Sequence, residues 1–258
     1  MSETLLLRAT GEELAAAVAA REYNRLLQLP RDRELEGELK ERADSARAWY
    51  AHHGKPFVAA RRVELFTAEA RSPRSETEVN AGGVVLHSLM LARRLHAGEA
   101  HALMLLAASA GTEAAREAAR LWAAGRPDEG YFLDRFAVAV TETLIFWASA
   151  TLCRSSEAAQ ETLLPHLSPG CGNWDIADQH RLWQLMAGGA PTLGPIRILE
   201  TGALDPQHSV LAAMGVTHHN YVSSPEHLCR SCDLVPCAFR RAPFAGDAIR
   251  PMIAMEIR

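Results

Sequence analysis

Three cysteines fall within nine positions of one another, Cys229, Cys232 and Cys237, in the stretch "CRSCDLVPC". Two thiols separated by two residues can bite one metal ion, and a third a few residues on closes most of a tetrahedron. His227, two residues ahead, is one candidate for the fourth ligand, and Cys171 is the other. Three thiolates and an imidazole suit zinc; four thiolates, or three with an open site, suit an iron–sulfur cluster. The spacing is not a ferredoxin signature, and reduced thiols packed as small hydrophobes are the plain alternative. With five cysteines and no recognisable export signal, metal or thiol chemistry takes precedence over disulfides. Cys153, inside a long apolar stretch, reads as a core residue.

Cys171 itself sits in "HLSPGCGNWD". Pro169 followed by Gly170 suits a tight turn whose third position needs a positive φ. Gly172 offers a second place where backbone can approach a ligand without a Cβ in the way. Asp175 is a candidate N-cap with Asp178 in the first turn, opening a helix through Leu182, Leu185 and Met186. Backbone N–H groups beside a helix N-terminus favour an anion, but two carboxylates already occupy that end. A neutral or zwitterionic ligand fits better, and the bland alternative is an ordinary turn. Glu142, flanked by Val140, Leu144 and Phe146, is expected to be partly buried. Such a carboxylate either bonds a neighbouring group structurally or faces a ligand. Arg240 and Arg241 could face an anionic ligand, though the surface is the commoner place for an arginine, and the pairs His52–His53 and His218–His219 lack a metal-binding spacing.

The elements that must position these groups are legible in part. The 258 residues are 48% apolar and 22% charged, an ordinary globular composition. A net charge of −4 offers no basic field for nucleic acid. No unbroken apolar run reaches the ~18 residues a membrane helix needs, and "MSETLLLRATGEELAAA" lacks a basic segment ahead of a long apolar one, so no membrane and a cytoplasmic location are expected. Thr10 and Glu13 form a capping box ahead of a helix running to Pro30, and a second helix places Leu39, Ala43, Ala46 and Tyr50 on one face. "PFVAARRVELF" reads as a strand. "GGVVLHSLMLARRLHA", "EAHALMLLAASAG" and "TEAAREAARLWAAG" read as short helices, before a long central helix that is apolar in its middle. After Leu164, "PIRILE", "SVLAAMGV" and "RPMIAMEI" read as strands of a small sheet. The class is α+β: one unit over 1–258, mainly helical to 164, then glycine loop, short strands and cysteine cluster. Nothing supports a doubly wound nucleotide fold.

"HLSPGCGNWDIADQHRLWQLM" followed by "IRILETGALDPQHSVLAAMGV" resembles the activation (reactivation) domain of cobalamin-dependent methionine synthase, and more closely its free-standing relatives associated with corrinoid proteins. "EYNRLLQLPR", "ARAWYAHHGKPFVAAR", "LWAAGRPDEGYFLDRFAVAVTE" and "CRSCDLVPCAFRR" are similar to segments of the free-standing group, so the resemblance spans most of the chain. It implies an α+β unit with a curved antiparallel sheet that binds S-adenosylmethionine through an Arg-x-x-Pro-Gly-Tyr loop and presents its methyl group to cob(II)alamin. Carried over, His166 stands at the arginine, Ser168 at a backbone contact, Gly170 at the glycine and Cys171 at the tyrosine. A histidine offers one donor where an arginine offers a fork, and it is mostly neutral at pH 7.

Two functional readings follow. The resemblance implies an accessory protein that reactivates a corrinoid-dependent methyltransferase with S-adenosylmethionine. It would dock in trans on a corrinoid-binding protein or methyltransferase carrying the cobalamin, since this chain has no Asp-x-His-x-x-Gly loop. Its task is positioning, with no acid, base or nucleophile required. The alternative keeps the fold as a zinc or iron–sulfur interaction or redox module for a corrinoid protein, without S-adenosylmethionine.

Overall fold

The computed structural model describes residues 4–65, 77–156, 159–171, 174–220, 229–230, 232, 237 and 240–245. Gly172, His227 and the expected strand in "RPMIAMEI" lie outside them.

The capping box forms as the sequence predicts. The Thr10 hydroxyl accepts from Glu13 N at 3.2 Å and the Glu13 carboxylate accepts from Thr10 N at 2.8 Å, opening α1 (Gly11–Ala17). The helix does not run on to Pro30. Val18 and Ala19 are extended before α2 (Ala20–Leu26), which lets Val18 enter the core. The Arg47 guanidinium donates to the freed Ala15 and Val18 carbonyls. Arg47 belongs to α3 (Gly37–His53), which buries Ala43, Ala46 and Tyr50 at the expected steps.

Five strands make a curled antiparallel sheet in the order β1 (Leu5–Leu7), β2 (Phe57–Glu64), β5 (Ala102–Ser109), β10 (Ser209–Thr217), β6 (Thr162–Leu163). A hairpin of β3 (Glu78–Ala81) and β4 (Val84–His87) turns on Gly82 and Gly83, whose φ values of +55° and +82° suit a two-residue turn of primed type. It precedes α4 (Leu89–Ala97), so the helix expected from Gly82 onward begins seven residues later. Helices α5 (Glu113–Ala123) and α6 (Pro127–Ser156) follow β5, and α7 (Asp178–Ala187) follows β6. Strands β7 (Thr192–Leu193), β8 (Ile196–Ile198) and β9 (Leu204–Asp205) form a separate small sheet.

The sheet is covered on both sides. Ala102, Leu106, Ala108, Ala212 and Met214 face α1, α2, α3 and α6; Leu103, Leu105, Ala107, Leu211 and Ala213 face α4, α7 and the β3–β4 hairpin. This explains the main sequence error. "ALMLLAAS" is a central strand and not a helix, because a strand buried on both faces shows a continuous apolar run with no alternation. Its Ala, Leu and Met are also the best helix formers. By length and composition α6 passes as a membrane span, contrary to the expectation that no segment would. Half of its most apolar window is buried in the protein, against α1, α2, α3, α5 and β5.

Candidate functional site

A cavity of about 330 Å³ lies where α6, the loop before α7, α7 itself, the start of β10 and the cysteine segment meet. Its walls are Glu142, Ile145 and Phe146 of α6, His166, Ser168, Pro169 and Cys171 of the loop, Gln179 of α7, Ser209, Val210 and Leu211 of β10, and Cys229, Cys232, Cys237 and Arg241. Of the described residues put forward from sequence as ligand or metal contacts, all but Gly170 are therefore on one surface; Gly170 shapes the turn and is not part of the wall.

The loop is built from its own bonds. Leu167 exchanges backbone hydrogen bonds with Ala213 of β10 at 2.8 and 2.9 Å, which fixes the loop to the sheet. Cys171 N donates to Ser168 O at 3.1 Å across Pro169 and Gly170, and Gly170 has φ +85°, the geometry of a type II turn. Gly170 N donates to Trp174 O at 2.8 Å. These two N–H groups are thus spent inside the loop, and the expectation that they face a ligand is corrected. Trp174 is buried, and its Nε1 donates to Asp178 Oδ2 at 2.9 Å. Asp178 also accepts from His87 N and from Arg181. Burial works to raise the Asp178 carboxyl, but these donors outweigh it and hold it below its ordinary value. Asp178 is therefore an anchor under the loop, while Asp175 caps Ala177 N at 2.8 Å instead of opening the helix.

The charges of the cavity are arranged around Glu142. Arg25 donates to its carboxylate, and Arg241 Nη2 does so at 2.7 Å. Burial raises the Glu142 carboxyl, opposed by Arg241 and Arg25, and the net direction is up. Glu142 is thus both partner-bonded and cavity-facing. Arg241 is not at the surface: its side chain is 12% exposed, bonds Glu22 at 3.0 Å and lies 4.7 Å over the Phe146 ring. Burial, with Arg94 and Arg241 nearby, holds His166 down at about 4, so its imidazole is neutral at pH 7. The cation of this cavity is Arg241, so of the two places open to it in the sequence the wall of the cavity is the one it takes.

All five cysteines are free. Burial, then the neighbouring Cys232, Cys237 and Cys229, push the Cys171 thiol up to about 11; the residue as a whole is exposed, but its thiol stands among the other three. Arg241 N donates to Cys229 Sγ at 3.2 Å, and Arg240 donates to the carbonyls of Cys229 and Cys232 at 2.9 and 3.0 Å. Four thiols beside two guanidinium groups fit a thiophilic ion in chemistry. The donor atoms that lie within 4.8 Å of one another among the described residues are elsewhere, on His101, Glu161 and His218; the cavity thiols form no such triad there. Cys153 packs against the helical core, as expected.

Gln179 completes the wall. It is buried, and its Oε1 has no hydrogen-bond partner among the described residues. A buried acceptor left unpaired is rare and asks for a donor.

No family model matches the sequence, and no curated protein matches it significantly. Among solved structures the chain is similar to the crystal structure of the MetH reactivation domain bound to AdoHcy, with TM-score 0.60 and 14% identity over 86% of this chain and 81% of that one. At that identity the likeness is one of fold: the chain has the α+β architecture of a MetH reactivation domain.

Proposed function

We propose that this is an accessory protein of the reactivation type for corrinoid-dependent methyl transfer. Its cavity takes S-adenosylmethionine, and a cobalamin-bearing protein docks against it in trans. The observation that carries this reading is the orphaned Gln179 acceptor in a cavity walled by the Ser168–Pro169–Gly170 turn. A volume of about 330 Å³ falls within the range of small-molecule sites. The fold is that of a domain solved with AdoHcy.

The residues divide the work by chemistry. Arg241 is the group for the ligand carboxylate, and Glu142 is the group for its ammonium. Gln179 accepts from an amino group, and Phe146 offers an aromatic face. Neutral His166 contributes one directional hydrogen bond. S-adenosylmethionine supplies the methyl group; the protein holds it in line and excludes water. Cys171, kept protonated by its raised pKa, is a poor nucleophile toward a neighbouring sulfonium methyl.

The test is isothermal titration of S-adenosylmethionine and AdoHcy into anaerobically purified full chain. A micromolar dissociation constant, about −8 kcal/mol, supports the reading; no heat up to millimolar ligand overturns it.

A second reading is favoured by a different observation, the meeting of Cys171 with Cys229, Cys232 and Cys237 on one wall. Those four residues would hold zinc or an iron–sulfur cluster, making the protein an interaction or redox module. Zinc would fasten the cysteine segment to the loop, and a cluster would supply an electron. Because the ligands must be thiolates, loading releases protons and strengthens as pH rises. Metal analysis of the same batch, where one equivalent of zinc or several of iron appear without S-adenosylmethionine binding, decides for this reading.

A further inference from the structure

Away from the cavity, His101 precedes β5, Glu161 precedes β6 and His218 follows β10. These strands are neighbours in the order β5-β10-β6, and their antiparallel pairing brings the three positions to one end of the strands. Val216 pairs with Ala102 on one side and Leu163 on the other, and His101 N donates to Val216 O at 2.9 Å. One donor atom from each of His101, Glu161 and His218 lies within 4.8 Å of the other two.

The hydrogen bonds around the three suit metal ligation. The His218 Nδ1 lies 3.2 Å from the Gln160 carbonyl, which can only accept, so Nδ1 carries the proton and Nε2 is left with a free lone pair. His101 Nε2 lies 2.8 Å from Glu161 Oε1. Arg62 holds Glu161 with Nη1 at 2.7 Å and Nη2 at 3.0 Å, keeping it ionised and oriented while lone pairs remain. The Glu161 side chain is 9% exposed and that of His101 20%, whereas His218 is exposed and gives an ion its entry. The His101 and His218 rings stack at 4.5 Å and 11°, which sets the two imidazoles side by side at the site.

We propose that His101, Glu161 and His218 bind a zinc-class divalent cation that ties together the ends of three strands. Two imidazoles and a carboxylate select Zn²⁺, Co²⁺ or Ni²⁺ over Mg²⁺ and Ca²⁺. The site is independent of the proposed ligand cavity, which touches the opposite end of β10, roughly 25 Å away by strand rise. An ion bound at His101 Nε2 would displace the proton that this nitrogen donates to Glu161, the proton passing to Nδ1 through solvent, and would pin β6 to the sheet, which it joins through only two paired positions.

The experiment is Co²⁺ titration of the full chain, followed by visible absorption. The expected site gives weak d–d bands without the near-ultraviolet sulfur-to-cobalt charge transfer that thiolates produce. Those bands should persist in Cys171→Ser and Cys229→Ser and require roughly 10- to 100-fold more Co²⁺ in His218→Ala. His218 is exposed, so this variant folds; His101→Ala is the second test. Zn²⁺ should raise the Tm of the wild-type chain more than that of His218→Ala, and Mg²⁺ should do neither. Equal titration of wild type and His218→Ala, or cobalt colour that follows only the cysteines, overturns the proposal.

Discussion

Asp178→Ala tests how the cavity loop is held. The Asp178 side chain is 1% exposed and accepts from Trp174 Nε1, His87 N and Arg181. The alanine leaves the buried Trp174 indole without a partner, at about 1–3 kcal/mol, and breaks the part-buried bond from the His87 amide, at about 1 kcal/mol. The Arg181 side chain is 46% exposed, so its lost pair adds little. The sum is about 3 kcal/mol, which in a chain of this size lowers Tm by roughly 6–12 °C. Asp178→Asn keeps one acceptor oxygen and should lose about half as much. The pH dependence has a definite sign. The folded carboxyl lies below its ordinary value of 3.8, so its contribution is full above that pH and is lost as pH falls through the folded value. Wild type and Asp178→Ala therefore converge in acid. Urea unfolding at neutral and acid pH measures both effects, and a double-mutant cycle with Trp174→Phe isolates the indole bond. A neutral-pH loss below about 1 kcal/mol, or strict additivity in the cycle, would refute the anchor.

Gln179→Ala should weaken S-adenosylmethionine roughly tenfold by calorimetry while leaving stability within about 1 kcal/mol, because the amide oxygen has no protein partner to lose. Cys171→Ser should lower the metal content of purified protein, whereas Cys153→Ser, in the helical core, should leave it unchanged. His166 has a folded value near 4 against an ordinary 6.5, so stability is full above 6.5 and falls as pH drops toward 4; His166→Gln should flatten that limb in pH-dependent thermal melts. Gly170→Ala places a Cβ at φ +85°, 3.3 Å from Ile176 Cδ1, and should cost about 1 kcal/mol in urea unfolding.

What the sequence made legible was chemistry carried by short local patterns. The Thr10–Glu13 box and the turn across Pro169 and Gly170 depend on neighbours within a few residues, and both form as expected. The buried, partnered state of Glu142 followed from the apolar residues around it. What failed depended on residues far away. The strand Ala102–Ser109 shows no alternation because cores form on both of its faces, which only the tertiary fold decides. The cavity role of Arg241 comes from Glu22 and Glu142, more than 90 positions earlier, and the chain near "CAFRR" carries no trace of them. The triad of His101, Glu161 and His218 likewise comes from strand order, and the His218–His219 pair was its one local signal.

The distances in sequence spanned by Arg241 bear on how the protein is made. Arg241 reaches Glu22 across 219 positions, and its carbonyl accepts from Arg31 across 210. Helix α2 leaves the ribosome well before these partners are synthesised, at a rate of about 5–20 residues per second. Three of the four cavity thiols travel with the late segment. Closing so long a loop is slow and must be repaid by contacts made at the end. The nascent chain therefore presents the Cys171 loop open first, and the cavity shuts as one of the last steps of folding. Anything held between Cys171 and the late cysteines has a window for loading between those two events.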